Sequence, residues 1–347
     1  MVISLPIDQP ARAKTVRIGV LGAASVAWRR MLPALSGVPG IEVAAVASRD
    51  LAKATRFTDR FGGVPVLGYS ALLERDDVDA VYLALPNSLH HEWIATALRA
   101  GKHVLGEKPL TTNAAATADL LRLAHERNLV LSENFTFEYH PLHTTVRDLL
   151  ERGRLGALRH LTGSFCFPPL RVDDVRNRLD LGGGALLDAG VYPLRLAQFL
   201  LGNELEAAGG VLRVDRRTGV DVSGSALLVS GTGVVVTAEF GFEHSYASRY
   251  HLWGAAAELT VNRAFTTPAS HQPVLRIDEQ DHAEELVLAA ADQYARSAAH
   301  FADAIRAARD RTETTGLPEC ATASLRTAEL VDAIREIAHR VVVSGGA

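Results

Sequence analysis

At 347 residues, 48% of them hydrophobic, the chain is long enough for about two domains with buried cores, which excludes a small stapled scaffold. A net charge of −4 with no basic run or interleaved aromatics argues against nucleic acid and anionic membranes as partners and toward small-molecule ligands. Cys166 and Cys320 are too few for a disulfide framework, no charged-then-apolar leader occurs through Gln9, and no apolar run reaches the roughly 20 residues of a membrane span; a reducing cytoplasm fits best.

From Val16 to Glu133 short β-branched runs alternate with helical stretches. The pattern predicts strands at 16–21, 42–47, 80–85, 103–105 and 130–132, with helices over 51–61, 91–100 and 114–127 between them. Such alternation implies an α/β, doubly wound parallel sheet of the Rossmann kind, assigned to residues 16–134 as a dinucleotide-binding domain. Beyond His140 the order changes. A helix to about residue 152, a strand over 158–167, and Gly182-Gly183-Gly184 opening a helix over 185–200 precede the runs 222–230 and 234–242, which Gly231-Thr232-Gly233 joins as antiparallel strands. Helices at 293–308 and 321–341 close the chain, so residues 135–341 read as an α+β domain with a largely antiparallel, open-faced sheet. That domain is assigned to substrate binding and to packing in a homo-oligomer.

The first predicted strand runs into Gly22-Ala23-Ala24-Ser25-Val26-Ala27, which follows the G-x-G-x-x-G/A frame except that Ala24 replaces the second glycine. A turn between strand and helix offers backbone N–H groups and a positive helix terminus to a pyrophosphate, although the Ala24 methyl crowds that approach. The second strand ends in Ser48-Arg49-Asp50, where an acidic residue would select NAD. A hydroxyl followed by a guanidinium instead suits a 2'-phosphate, so NADP (NADPH) is the expected cofactor, with Asp50 keeping NAD open.

Two turns close adjacent predicted strands and carry an imidazole and a lysine: Pro86-Asn87-x-x-His90, and Glu107-Lys108-Pro109 after Ala100-Gly101-Lys102-His103-Val104. Together with Gly182-Gly183-Gly184-Ala185-Leu186-Leu187-Asp188-x-Gly190, these motifs resemble the glucose-fructose oxidoreductase, inositol dehydrogenase and rhizopine-catabolism (Gfo/Idh/MocA) family, over a stretch from about Val16 to the end. Many members have histidine four residues after the aspartate, whereas Tyr192 stands there in this chain. With Ala27-Trp28-Arg29-Arg30, Glu133-Asn134-Phe135 and Gln280-Asp281-His282-Ala283-Glu284, the sequence is similar to the nucleotide-sugar C-3'-ketoreductases of deoxysugar biosynthesis within that family. The resemblance implies NADPH-dependent reduction of the 3-keto group of a TDP-linked deoxyhexose, such as TDP-3,4-diketo-2,6-dideoxyglucose. A dehydrogenase of a free sugar or cyclitol is the alternative, and a nucleotide-sensing regulator a third reading.

The resemblance maps the family's catalytic lysine onto Lys108 and its tyrosine onto Tyr192, and places His90 against the nicotinamide ribose. The candidate cofactor set then comprises Gly22, Ala23, Ala24, Ser25, Val26, Ala27, Trp28, Ser48, Arg49, Tyr69, Leu85, His90, Glu107, Lys108 and Arg176. Reducing a ketone needs a hydride on one face and a proton donor at the oxygen. Unperturbed lysine and tyrosine titrate near about 10.4 and 10, so both are donors at neutral pH, and a neighbouring cation would tune the tyrosine downward. Tyr192 is expected to protonate the C-3' oxygen while Lys108 orients the substrate. Asp188, four residues before Tyr192, shares its helix face and could accept from a sugar hydroxyl. Arg30 and Arg178 are candidates for the substrate diphosphate and Tyr246 for stacking on the base, which completes a substrate set with Lys108, Asp188 and Tyr192. Neither His90-His91 nor His140-x-x-His143 joins carboxylates in a metal frame, and no metal is expected.

Overall fold

The computed structural model describes residues 15–309 and 319–344; the reading through Gln9 and the side chain of Cys320 lie outside the described residues. In chain order the first layer comprises β1 (Val16–Leu21), a π-helical turn (Ala27–Met31) leading into α1 (Leu32–Gly37), β2 (Ile41–Ser48), α2 (Leu51–Phe61), β3 (Val64–Leu67), α3 (Tyr69–Leu73), β4 (Ala80–Leu83), α4 (His90–Arg99), β5 (His103–Gly106), α5 (Ala114–Glu126) and β6 (Leu131–Glu133). All strands are parallel, in the order β3-β2-β1-β4-β5-β6. The order reverses between β1 and β4, and a doubly wound sheet opens its ligand crevice at the carboxyl ends of such a pair. β1 and β4 are covered on both faces and therefore read as continuous apolar runs rather than as alternation.

β3 was not expected, because Pro65 interrupts its apolar run. The strand pairs only with β2 and lies at the sheet edge, where a missing N–H leaves no ladder partner unsatisfied.

The second layer contains α6 (Pro141–Glu151), β7 (Leu158–Cys166), a second π-helical turn (Leu186–Gly190) continuing into α7 (Val191–Leu201), then β8 (Leu205–Asp215), β9 (Asp221–Ser230), β10 (Val235–Gly241), β11 (Ala247–Gly254), β12 (Glu258–Asn262), β13 (Val274–Asp278), β14 (Ala283–Val287), α8 (Gln293–Arg309), α9 (Glu319–Ile337) and β15 (His339–Val343). Nine strands form one sheet, β14-β13-β12-β11-β7-β10-β9-β8-β15, antiparallel except for the β7–β10 and β8–β15 pairs. Helices α6, α7 and α9 cover one face. The other carries Leu227, Val229 and Trp253 exposed beside a polar centre of Thr162, Ser164, Glu239, Arg249 and His251.

The helix expected over 321–341 stops at Ile337, and the β-branched run Val341-Val342-Val343 instead extends the sheet beside β8. The division of the chain at 134/135 is also crossed. Ala298, Phe301, Ala302 and Ile305 of α8 pack into the apolar cluster of Val16, Ile18, Val20 and Leu35, so this late helix helps close the first layer.

The two layers are tied together behind the cleft. Arg195 of α7, only 3% exposed, places Nε 2.7 Å from Glu138 Oε1 and Nη1 3.7 Å from Glu133 Oε2, while Glu133 Oε1 accepts from Leu110 N at 2.8 Å. Breaking a buried network of this kind leaves an uncompensated charge, so it holds the turn after β5 against α7. Among the described residues no helix is long and apolar enough to cross a membrane.

Candidate active site

The nucleotide end is built from backbone. Gly22 adopts φ +105°, and a Cβ there would run into the Ala84 carbonyl oxygen, so only glycine lets the chain leave β1 this close to β4. Ala23, Ala24, Ser25 and Val26 follow, with helical structure starting at Ser25, so that this segment carries the first-turn N–H groups that no intrahelical carbonyl can satisfy. Trp28 is committed to packing: its ring meets Phe57 at 4.9 Å and Phe61 at 5.4 Å, with the Arg60 guanidinium 4.7 Å above it. Its contribution is to hold the Ala27 turn against α2.

The end of β2 fits a 2'-phosphate. Ser48 is buried and its Oγ accepts from Asp50 N at 3.1 Å, while Arg49 is exposed. Asp50, the residue that could favour NAD, turns its carboxylate onto the N–H groups of Ala52 and Lys53 as the cap of α2, at 3.0 and 3.3 Å. Gly68 N donates to Ser48 O at 2.9 Å, which brings Tyr69 alongside, edge-on to Trp93 at 5.0 Å.

The two signature turns are bracketed by a histidine rather than by a ligand. His90 is fully buried, with Nδ1 2.8 Å from Pro109 O and Nε2 2.9 Å from Leu85 O. Burial lowers its pKa even though both carbonyls favour the charged ring. The imidazole nitrogens thus tie the Leu85 and Pro109 turns to each other. Asn87 carries the tie onward, donating Nδ2 to Gly182 O at 2.8 Å, and Lys102 braces the sheet through Arg75 O and Val78 O, both at 2.8 Å. Glu107 receives Tyr82 Oη at 2.7 Å and Asn134 Nδ2 at 2.9 Å on one oxygen, and burial raises its pKa.

Past the cis Lys108–Pro109 bond the cleft meets side chains from separate segments. Lys108 Nζ donates to Asp188 Oδ1 at 2.7 Å and Asp188 O at 2.8 Å, and Arg176 Nε donates to Asp188 Oδ2 at 2.6 Å. Burial alone would raise the Asp188 pKa, but these two cations outweigh it and hold the group at about 2. Each carboxylate oxygen thus already holds a cation, which leaves one further lone pair on each for a sugar hydroxyl.

Tyr192 lies with its ring centroid 5.0 Å from Lys108 Nζ, in a cage of Phe135, Phe165 and Phe265. Among the described residues its hydroxyl has no hydrogen-bond partner. Burial, reinforced by Tyr294, Glu107 and Asp188, pushes the phenol well above 10, opposite to the expected downward tuning, because the apolar cage outweighs the nearby cations.

Arg30 is exposed, its guanidinium 5.7 Å over the ring of Tyr294, a residue that reaches toward Glu107 and Tyr192 from α8. Two expectations fall away from the cluster. Arg178 is exposed and paired with its neighbour Asp180, and Tyr246, ahead of β11, is half exposed with its hydroxyl 2.8 Å from Thr266 Oγ1. Sequence reasoning missed Tyr82, Tyr294 and Asp221. The last accepts from Leu186 N at 2.6 Å, beneath Gly184, where φ +120° leaves room that a Cβ would fill. Asp174, also missed, holds the far side of Arg176 at 3.2 Å. His140 caps α6 through Leu142 N, and His143 is buried between Tyr250 Oη and Ala264 O. Among the described residues no three His, Cys, Asp or Glu side chains gather as a metal site.

The model of an oxidoreductase family with an NAD-binding Rossmann fold (GFO_IDH_MocA) matches residues 16–135, and that of the GFO/IDH/MocA C-terminal domain matches 143–260. Two dTDP-3,4-didehydro-2,6-dideoxy-alpha-D-glucose 3-reductases are similar over nearly their whole length: one from Actinomadura kijaniata is 51% identical, over 95% of this chain and 97% of its own, and one from Streptomyces violaceoruber is 53% identical with the same coverage. A crystal structure of a 3-ketoreductase from Actinomadura kijaniata with NADP and TDP-benzene superposes with a TM-score of 0.91 at 50% identity, covering 95% of this chain and all of that one.

Proposed function

The chain belongs to the Gfo/Idh/MocA oxidoreductase family, and from that premise we propose that it is an NADP-dependent sugar 3-ketoreductase, reducing the C-3' ketone of a TDP-linked keto-deoxyhexose in deoxysugar biosynthesis. The observation that carries the reading is Tyr192, a half-buried, protonated phenol whose hydroxyl has no hydrogen-bond partner among the described residues, set beside the Lys108–Asp188 pair.

When bound, NADPH supplies a hydride. Its holders are the Gly22, Ala23, Ala24, Ser25, Val26 and Ala27 turn and, for the 2'-phosphate, Ser48 and Arg49, with Tyr69, Leu85 and Glu107 along the crevice. Tyr192 delivers its proton to the C-3' oxygen as negative charge develops there, and Lys108, oriented by Asp188, donates a hydrogen bond to the same oxygen. Arg30, exposed with its guanidinium over the Tyr294 ring, is the residue assigned to the substrate diphosphate in this reading. In this assignment residues 16–134 carry the cofactor and 135–341 the substrate and the subunit contacts, apart from α8. The reaction runs in a reducing cytoplasm, in a homo-oligomer that covers Leu227, Val229 and Trp253 on the open sheet face.

The test follows NADPH absorbance with a TDP-3,4-diketo-2,6-dideoxyhexose generated in situ by a 2,3-dehydratase. The expected result is rapid, NADPH-selective consumption giving a TDP-linked 3-hydroxy sugar. Turnover confined to free sugars or cyclitols would overturn the proposal, as would tight NADPH binding with no turnover on any sugar.

A further inference from the structure

We propose that Arg176 is a positioning residue for proton delivery: held on Asp188 Oδ2, it aims the opposite carboxylate oxygen at Lys108, so that the short helical turn Val175–Asn177 sets the geometry of the reacting end. The inference rests on the ketoreductase reading above and concerns the same site.

Lys108 by itself cannot orient Asp188. Its ammonium is a point charge on a flexible stem, anchored on the Asp188 backbone oxygen as well as on Oδ1, and sets no plane for the carboxylate, whereas a guanidinium is a rigid planar fork. Arg176 supplies that rigidity and is itself fixed. Its Nη1 lies 3.2 Å from both oxygens of Asp174, and its backbone N donates to Asp174 Oδ1 at 3.0 Å. Its carbonyl accepts from Gly184 N at 3.0 Å, which laces the turn to the glycine run that opens the Asp188 helix. The orientation is thus passed along one chain of contacts, Asp174 to Arg176 to Asp188 to Lys108, with Tyr192 beside the last member.

The charged and titratable groups facing Asp188 are Lys108 from the turn after β5, Arg176 with Asp174 behind it, and Tyr192 from α7. Removing Arg176 takes away one of two cations, so the Asp188 carboxyl should titrate at higher pH.

The experiment compares wild type with Arg176→Gln, Arg176→Lys and Asp174→Asn, reading kcat, KM and the pH dependence of kcat, together with the acylation rate of Lys108 by an amine-reactive ester followed by peptide mass spectrometry. Arg176→Gln should lower kcat by about 10- to 100-fold, the scale expected when a reacting group is misplaced, with KM nearly unchanged. Its acid limb should move to higher pH, and Lys108, left as the one cation on Asp188, should acylate more slowly. Arg176→Lys should keep the acid limb and recover only part of kcat, and Asp174→Asn should act in the same direction as Arg176→Gln but less.

A folded Arg176→Gln enzyme with unchanged kcat and acid limb overturns the inference. So does a raised KM with kcat intact, which would make Arg176 a phosphate contact. If Arg176→Gln fails to fold, unaltered profiles in Arg176→Lys and Asp174→Asn overturn it instead. A wild-type enzyme inactive on the TDP-keto sugar defeats the underlying reading separately; Lys108 acylation still decides the present one, and equal rates in wild type and variants overturn it.

Discussion

The end of the cleft proposed for the nucleotide is built from backbone, a turn that Gly22 makes possible, whereas the end proposed for the carbonyl is built from the side chains of Lys108, Asp188, Arg176 and Tyr192, brought from three separate segments. The first kind of site tolerates changes of side chain, which is why Ala24 can stand where the fingerprint has glycine. The second does not, because each of its members sets the orientation or charge of another.

Substitutions at the carbonyl end should therefore have the largest effects. Tyr192→Phe removes the proposed proton donor, whose hydroxyl has no hydrogen-bond partner among the described residues, and a loss in kcat of about 10²- to 10⁴-fold is expected. Lys108→Ala should lose less in kcat but also raise KM, since it both orients and binds. Steady-state kinetics of the two variants check this, and equal, small losses would sink the division of roles. Because burial holds the Tyr192 phenol above 10, the wild-type profile should show no alkaline limb from this residue below about pH 10.

At the nucleotide end the sensitive position is a backbone one. Gly22→Ala has to adopt φ +105° against the Ala84 carbonyl, and the conformation alone costs about 1–3 kcal/mol. Thermal unfolding should show a Tm several degrees lower and a titration weaker NADPH binding, while Ala24→Gly should bind NADPH at least as well as wild type. A folded Gly22→Ala protein of unchanged Tm would mean that the turn is not held as described. Arg49→Ala, a single exposed side chain, should shift the NADPH-to-NADH preference by about tenfold, the scale of one charge-assisted contact, with little effect on kcat. An unchanged preference would move the 2'-phosphate away from Ser48 and Arg49.

The same contrast explains what could be read from the sequence. Gly22, Lys108, Asp188 and Tyr192 were legible because each sits in a local motif at the end of a strand or the start of a helix. Tyr82 and Tyr294 were not: one is a residue of a buried apolar strand, which pairing with β5 sets beside Glu107, and the other belongs to a late helix that reaches Glu107 by packing back on the first layer. His90 was legible as a motif residue, but its contacts with the Leu85 and Pro109 carbonyls were not, since they depend on how two turns far apart in the chain meet. β3 and β15 were missed for a related reason. Both lie at sheet edges, where a proline or a half-exposed valine run is tolerated and the alternation that marks covered strands fades.

The smallest expected effect contrasts two carboxylates flanking one π-helical turn. Asp188 is held at about 2 by Lys108 and Arg176, while Asp221, which caps the same turn through Leu186 N, is raised to about 6 by burial that the Leu186 N–H and Arg335 only partly offset. Their linkages to stability have opposite signs. Asp188, depressed below its unfolded value of 3.8, stabilises the fold above about pH 4, and that stability is lost as pH falls toward 2. Asp221, raised above 3.8, binds its proton more tightly in the folded state, so its contribution is complete below about pH 4 and is lost as pH rises through 6. Asp221→Asn keeps an oxygen for Leu186 N and removes the titration. Its Tm relative to wild type should accordingly rise between pH 4 and pH 7, measured by thermal unfolding across that window. Parallel curves for the two proteins would show that Asp221 is solvated well enough to ionise at its ordinary pH, and that the cap beneath Gly184 is looser than the buried hydrogen bond indicates.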